Sequence, residues 1–250
     1  ERKDAERTTR TSRPEAVLFD LGDTLLVART YRVEAGVEAM LDAAAHRNGA
    51  TVDQVVALAR ELNVEFGRRA NESSLEYSQR VFHRMLYDSL GVSFDRSEAE
   101  LERLYWDAAF EFVPEPGVAE MLAAVRDTGV RMGVVSNASF SGEVLRHELE
   151  KHGLLHYFEF LISTADYGLR KPHPQIFRVG LQRTGVAPER TWYVGNSLQF
   201  DVAGAVSAGI TPVWYNRVGV EGEAPEAAGT ITHWSEFPAL LRAARLESAT

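Results

Sequence analysis

Residues able to do covalent chemistry recur in this chain where short apolar runs end. Asp20 follows the apolar run Ala16–Phe19 and opens the segment Asp-Leu-Gly-Asp-Thr. Three later segments have a similar character: Ser136-Asn137, Lys171-Pro172, and Gly195-Asn196-Ser197 with Asp201. A carboxylate at a strand end can attack phosphorus and form an acyl phosphate, and a nearby ammonium can offset the charge that develops. The residue types therefore indicate nucleophilic transfer at an aspartate.

Composition limits the classes of protein to consider. The chain has 250 residues and is 45% hydrophobic, enough to bury a full core, as one large domain or one domain with an insert. Its net charge of −9, without a long basic block, argues against non-specific nucleic-acid binding. The absence of cysteine excludes disulfides and thiolate chemistry and fits a cytoplasmic location.

Two expectations concern segments outside a folded core. No apolar run approaches about 18–20 residues, so we expect no membrane span. The polar segment 1–13 lacks the apolar centre of a signal peptide, and we expect it to be a disordered tail.

Apolar patterning predicts an α/β fold. Continuous apolar runs at 16–19, 131–135, 158–162, 191–194 and 210–214 are typical of strands buried on both faces of a parallel sheet. Helical periodicity lies between them at 118–126, 142–152, 175–184 and 201–208. This alternation predicts a doubly wound, Rossmann-like parallel sheet. Ligands of such sheets bind beyond the carboxyl ends of the strands, where the reactive segments fall.

The region 28–113 is patterned differently. Helical periodicity dominates at 33–46, 52–69, 75–90 and 98–112, with no convincing strand. The segment Pro-Glu-Pro-Gly at 114–117 marks the return to the α/β pattern, because prolines interrupt a helix and restrict the chain. We therefore expect a catalytic core formed by 14–27 and 114–250, carrying a helical insert at 28–113.

The four reactive segments, in this order and spacing, resemble the motifs of the haloacid dehalogenase-like (HAD) hydrolases, and the resemblance covers nearly the whole chain. It implies that Asp20 is the nucleophile, that Lys171, Ser136, Asn137 and Thr24 bind phosphate, and that the insert is a helical cap. It further implies a Mg²⁺ site formed by Asp20, the Gly22 carbonyl, Asn196 and Asp201.

The chain departs from the family pattern at two positions. HAD phosphatases carry a general acid two residues after the nucleophile, where this chain has Gly22; the nearest acid, Asp23, is one step later. Asp23 is a candidate acid, with a solvated turn residue as the alternative. Asn196 replaces an acidic metal ligand and removes charge that a hard cation prefers. We therefore expect weak Mg²⁺ binding and weak activity on ordinary alkyl phosphates.

Several functions remain open at this stage. The leading one is a cytoplasmic, Mg²⁺-assisted phosphomonoesterase for a small phosphorylated metabolite, with no nucleic-acid or membrane partner. The resemblance also allows a 2-haloacid dehalogenase: halide leaves as an anion, so no general acid is needed, and that branch of the family uses no metal. A phosphonatase would need a cap lysine, which 28–113 lacks. A non-catalytic protein that binds a phosphorylated ligand or a protein partner is the third alternative. The sequence sets neither the substrate nor the oligomeric state.

Overall fold

The computed structural model describes residues 13–244. A six-stranded parallel sheet lies at its centre, in the order β5–β4–β1–β6–β7–β8. The strands are β1 (Ala16–Phe19), β2 (Leu26–Tyr31), β3 (Phe110–Pro114), β4 (Arg131–Ser136), β5 (Phe160–Ser163), β6 (Thr191–Gly195), β7 (Thr211–Tyr215) and β8 (Thr230–Ile231). The helices are α1 (Val33–Asp42), α2 (Val52–Ser73), α3 (Gln79–Ser89), α4 (Glu98–Ala109), α5 (Val118–Arg126), α6 (Gly142–Lys151), α7 (Pro174–Thr184), α8 (Ala203–Ser207) and α9 (Phe237–Ala243).

Both faces of the central sheet are buried, which explains the continuous apolar runs of its strands. Val17 and Phe19 of β1 join the larger apolar cluster, whereas Leu18 joins a second cluster with Ile176 and Phe177 of α7. Successive side chains of a strand point to opposite faces, so helices must cover the sheet on both sides. The predicted doubly wound α/β fold is confirmed.

The region between β1 and α5 contains the four predicted helices and a feature that the sequence analysis missed. Strands β2 and β3 pair antiparallel as a two-stranded ribbon that leads into and out of the helices. The expectation of no strand there was wrong, and α4 ends at Ala109 rather than continuing to 112. Aromatic residues favour a strand at Phe110 and Phe112 once the partner strand is available.

Other element boundaries shift by a few residues. The fourth helix of the α/β pattern, predicted at 201–208, begins as one π-helical turn at Leu198–Val202 and continues as α8. The expected tail at 1–13 lies, except for Arg13, outside the described residues. None of the helices within 13–244 is long and apolar enough to cross a membrane.

The inserted helices contact the α/β part through aromatic and buried polar groups. The rings of Trp106 and Phe140 meet edge to face, with centroids 4.9 Å apart. The Trp106 indole Nε1 donates a 2.7 Å hydrogen bond to the buried carboxylate of Glu148. One apolar cluster includes residues from both parts, among them Val37 and Val17. The insert is therefore packed against the α/β part and not joined to it by the ribbon alone.

Candidate active site

Lys171 is the centre of the arrangement at the carboxyl ends of β1 and β6. It is 1% exposed. Its Nζ donates to Asp20 Oδ1 at 2.7 Å, to Asp201 Oδ1 at 2.6 Å and to the Tyr193 hydroxyl at 2.8 Å. These contacts use all three donors of the ammonium. Burial favours the neutral amine, but the two carboxylates more than offset this and raise the pKa of Lys171. The group is a fixed positive charge.

Asp20 is held at the end of β1 by the sheet itself. Its backbone N–H donates to the carbonyl of Val194 in β6 at 2.9 Å, which continues the strand pairing by one residue. The side chain is largely buried, and burial, partly opposed by Lys171, raises the pKa of Asp20 to about 6. The negative charge of Asp201 acts in the same direction as burial. Asp20 is therefore a desolvated carboxylate that is ionised near neutral pH, as a nucleophile must be.

Gly195, in the segment Gly195-Asn196-Ser197, allows Asp201 to reach Lys171. A Cβ on Gly195 would lie 2.4 Å from Asp201 Cγ, so any side chain there would displace the carboxylate. Asp201 lies in the π-helical turn and turns back, accepting a 2.9 Å hydrogen bond from Ser197 N. Both of its oxygens thus have partners, one of them Lys171.

Thr24 contacts both Asp20, in its own segment, and Asn196, in the segment that follows β6. It is fully buried. Its hydroxyl donates to Asp20 Oδ2 at 3.1 Å and lies 3.5 Å from Asn196 Oδ1. Its carbonyl accepts a 3.1 Å hydrogen bond from the Trp234 indole. Thr24 therefore orients the carboxylate of Asp20, and its expected contact with phosphate stays a prediction.

The second motif is placed beside the lysine. Ser136 is buried at the carboxyl end of β4. The Asn137 side chain accepts from Lys171 N at 2.8 Å and donates to Lys171 O at 3.1 Å. Asn137 thus fixes the backbone of the lysine loop, and its expected contact with substrate stays a prediction, as does that of Ser136.

The structure does not bring Asp23 into this hydrogen-bond network. Its side chain is 61% exposed and lies 3.5 Å from the guanidinium of Arg217. Arg217 also lies 3.6 Å from the buried carboxylate of Glu115. Gly22 is exposed, and a Cβ built on it meets no atom within 4 Å. The role of Asp23 as general acid stays a prediction, and this geometry favours the solvated alternative.

The predicted Mg²⁺ ligands form a sparse donor set. Asp201 is engaged by Lys171 and Ser197, whereas Asp20 Oδ2 and Asn196 Oδ1 converge on Thr24. Among residues 13–244, no group of three or more His, Cys, Asp and Glu side chains could hold a metal ion. Mg²⁺ accepts one or two carboxylates together with neutral oxygens and water. Asp20, Asn196 and the Gly22 carbonyl are oxygen donors of these kinds and carry one negative charge together, and the expected weak Mg²⁺ binding stays a prediction.

Two residues near the centre were not predicted from the sequence. Tyr193 donates its hydroxyl to the carbonyl of Val135 at 2.8 Å while accepting from Lys171. Burial and the adjacent carboxylates raise the pKa of Tyr193 well above 10, so it remains a neutral phenol. It lies in an apolar strand, where its spacing indicates only core packing. Arg217 follows β7, and only the fold brings it to the first motif.

Comparison with known proteins gives matches that cover most of the chain. The family model described as haloacid dehalogenase-like hydrolase matches residues 50–215. A glyceraldehyde 3-phosphate phosphatase from Methanopyrus kandleri is 31% identical over 212 residues, covering 81% of this chain and 84% of that protein. A haloacetate dehalogenase H-2 from Moraxella is 26% identical over 207 residues, covering 82% and 87%.

A solved structure extends the comparison to the fold. The crystal structure of a HAD phosphatase from Thermococcus onnurineus superposes with a TM-score of 0.63 at 31% identity, covering 92% of this chain and 99% of that one. The central sheet, the matched family model and these relatives lead to one assignment. This chain belongs to the haloacid dehalogenase-like hydrolases.

Proposed function

We propose that the protein is a Mg²⁺-assisted phosphomonoesterase that acts on a small phosphorylated metabolite through a phospho-Asp20 intermediate. The observation that carries the proposal is the buried pairing of Asp20 with Lys171 at 2.7 Å. This pairing places a desolvated carboxylate beside a permanent cation, as attack on a phosphate dianion requires. A cytoplasmic setting stays a prediction.

The residues divide the reaction between them. An oxygen of Asp20 forms a bond to phosphorus as the bond to the substrate alkoxide breaks, and water then attacks phospho-Asp20 to release phosphate. Lys171 offsets charge on the phosphoryl oxygens, Thr24 holds the Asp20 carboxylate, and Asn137 holds the lysine loop. Mg²⁺, when bound by Asp20, Asn196 and the Gly22 carbonyl, supplies Lewis-acid stabilisation of the phosphoryl group. No carboxylate at position 22 protonates the leaving oxygen, so good leaving groups are favoured.

The relatives support the phosphatase assignment and suggest a first set of substrates. The Methanopyrus kandleri protein, named for glyceraldehyde 3-phosphate, is the more similar of the two relatives above. Triose phosphates and other small phosphorylated metabolites are therefore the first substrates to test. The helices at 33–109 are proposed to act as a cap that excludes water and selects among these substrates.

A metal-independent 2-haloacid dehalogenase is the second candidate. It is favoured by the exposed Gly22 in place of an acid and by the engagement of Asp201 with Lys171, which leaves few metal ligands. Displacement of halide by a carboxylate needs neither a general acid nor a metal ion. The Moraxella relative shows that dehalogenases resemble this chain over most of its length.

One screen separates these candidates. Phosphorylated metabolites and 2-haloacids are tested with Mg²⁺ and with EDTA, using Asp20→Asn as the control for contaminating activity. Mg²⁺-dependent release of phosphate and a phospho-Asp20 adduct in rapid-quench mass spectra would support the phosphatase. Halide release that ignores EDTA would replace it with the dehalogenase. Failure of every substrate, with no adduct on Asp20, would favour the third alternative, a protein that binds a phosphorylated ligand or a protein partner without turnover.

A further inference from the structure

A cavity of about 240 Å³ lies between the inserted helices and the loop that follows β4. Helices α1 to α4 contribute most of its wall, and Ser139 and Phe140 close it on the side of the sheet. The same loop begins at Asn137, whose side chain holds the backbone of Lys171. The loop that borders the candidate phosphate site therefore also borders this cavity.

The cavity is aromatic and uncharged. Seven phenyl or phenol rings line it, together with the imidazole of His83: Tyr31, Tyr77, Phe82, Tyr87, Tyr105, Phe110 and Phe140. Among the described residues that form its wall, none is Asp, Glu, Lys or Arg. Its outer part includes the exposed Asn63, whose Oδ1 accepts a 3.5 Å hydrogen bond from Tyr77. A molecule inside would meet ring faces and neutral hydrogen-bonding groups.

The buried end of the cavity is polar but carries no charge. Ser139 Oγ donates to Gln79 Oε1 at 3.3 Å, and Gln79 Nε2 donates to His83 Nε2 at 2.9 Å. Burial lowers the pKa of His83 to about 3, so the imidazole is neutral at ordinary pH. Since Nε2 accepts, the proton lies on Nδ1. This chain of hydrogen bonds fixes Gln79 and His83 without introducing an ion.

We infer that this cavity is the subsite for the organic part of the substrate, and that it takes an uncharged group of about the size of one ring. The inference rests on the proposed phosphatase function. A carboxylate or ammonium on that group would be buried without a counter-ion, which is costly, whereas a neutral ring gains contacts with the lining rings. Selection is thus against charge on the leaving alcohol.

The first arm of the test is binding of phenol, a probe without phosphate, followed by ligand-observed NMR. Ala59 of α2 is buried in the cavity wall, whereas Ala57 of the same helix is exposed and outside it. Phenol should bind the wild type and Ala57→Leu equally, and Ala59→Leu about tenfold or more weakly, because the added side chain fills the cavity. No binding, or equal binding to all three proteins, would overturn the inference.

The second arm compares phenyl phosphate with 4-carboxyphenyl phosphate. The added carboxylate does not worsen the leaving group, so chemistry alone predicts comparable rates. The neutral cavity predicts that kcat/KM falls about tenfold or more. Ala59→Leu should lower kcat/KM for phenyl phosphate to a similar extent while acetyl phosphate, which is too small to need the cavity, changes by less than about twofold.

The two arms separate failure of this inference from failure of the proposed function. If neither ester is hydrolysed, the phosphatase proposal fails and phenol binding alone decides whether the cavity is a site for neutral rings. If both esters are hydrolysed at comparable rates, or Ala59→Leu changes neither, the cavity is not the substrate subsite, whatever phenol does.

Discussion

Two buried carboxylates, Asp20 and Asp201, share the single ammonium of Lys171, which leaves one negative charge uncompensated at the centre of the site. Burial accordingly raises the pKa of Asp20 from 3.8 to about 6. Between these values the folded protein binds more protons than the unfolded chain, so the contribution of Asp20 to stability falls as pH rises through this window. At neutral pH, the buried and ionised carboxylate of Asp20 therefore lowers the free energy of unfolding.

Replacement of this carboxylate should stabilise the protein while abolishing activity. Asp20→Asn should increase the free energy of unfolding at about pH 7.5 by on the order of 1–3 kcal/mol, and the gain should vanish near pH 4. Urea unfolding in EDTA at both pH values measures this. Asp23→Asn, at an exposed position, is the matched control and should change little. A less stable Asp20→Asn protein at pH 7.5 would show that Lys171 requires both carboxylates.

The missing acid at position 22 should appear as a steep dependence of rate on the leaving group. Aryl and acyl phosphates should be cleaved far faster than alkyl phosphates, since the alkoxide departs without a proton. Gly22→Asp should narrow this gap, by up to about 10²-fold if the carboxylate is well placed. Open space around Gly22 accommodates the new side chain.

The design of that experiment follows from the backbone of the next residue. Asp23 has a φ of 55°, in the left-handed region that glycine adopts more easily. Combining Gly22→Asp with Asp23→Gly therefore relaxes the turn and removes the competing acid. Equal wild-type rates on aryl and alkyl esters, with Asp23→Asn alone abolishing the alkyl reaction, would instead identify Asp23 as the acid.

The amide at position 196 should limit metal affinity. Asn196→Asp adds a charged oxygen where Asn196 Oδ1 now lies 3.5 Å from the Thr24 hydroxyl, and hard cations prefer charged ligands. The Mg²⁺ concentration for half-maximal activity should fall about tenfold or more. Titration of activity with Mg²⁺ checks this, with Asn216→Asp as the control. Wild-type activity that ignores EDTA, with no gain in the variant, would favour the dehalogenase.

Helix α4 offers two Glu–Arg pairs with α3 that differ in burial. Glu102 is buried and accepts from Arg80 Nε at 2.7 Å, Ser141 N at 2.8 Å and Ser141 Oγ at 2.6 Å. Glu98 pairs with Arg84 at the surface. The buried pair thus links two inserted helices to the start of α6, whereas the exposed pair links only α3 and α4.

The two pairs should contribute very differently to stability. Glu102→Gln should lower the free energy of unfolding by about 1–3 kcal/mol, because it removes charge-assisted hydrogen bonds in a buried site. Glu98→Gln, the matched change in the same helix, should cost less than about 1 kcal/mol, since exposed ion pairs contribute little. Urea denaturation of both variants measures the difference. Equal losses would mean that the buried Glu102–Arg80 pair contributes no more to stability than the exposed Glu98–Arg84 pair.

The elements that the sequence predicted are those whose pattern follows from burial alone. Strand β1 is apolar throughout because both its faces are covered. Strand β2 escaped prediction because its second half, ending at Tyr31, is exposed and lacks alternation. Strand β3 escaped because Phe110 continues the helical spacing of Trp106. Both strands form because they pair with each other, although they are distant in sequence. A local sequence pattern does not indicate such pairing.

The candidate site shows the same division. Asp20, Lys171 and Asp201 were predicted from motif order, and the fold brings all three within direct hydrogen bonds. Tyr193 could not be predicted, because its role depends on a hydroxyl that meets Lys171 only across the folded sheet. The pairing of Asp23 with Arg217 could not be predicted either, because only the folded chain brings the two residues together.

At the scale of the whole molecule, the inserted helices and the sheet share one apolar cluster. Met40 and Leu101 of the insert belong to the same cluster as Val125 and Val134 of the α/β part. Hydrophobic burial that spans two segments couples their unfolding, because exposing one segment also exposes the face of the other. Buried polar contacts such as Trp106 with Glu148 add to this coupling.

The insert and the sheet should therefore unfold as one cooperative unit. Native-state hydrogen exchange in increasing urea should give the same opening free energy, within about 1 kcal/mol, for the slowest amides of α4 and of β4. Glu102→Gln should lower both values together, whereas Glu98→Gln should leave both nearly unchanged. Exchange from α4 at a distinctly lower free energy than from β4 would show that the insert opens as an independent unit. Cap opening would then be a separate local transition available to the native protein, and substrate could enter the neutral cavity without disturbing the sheet.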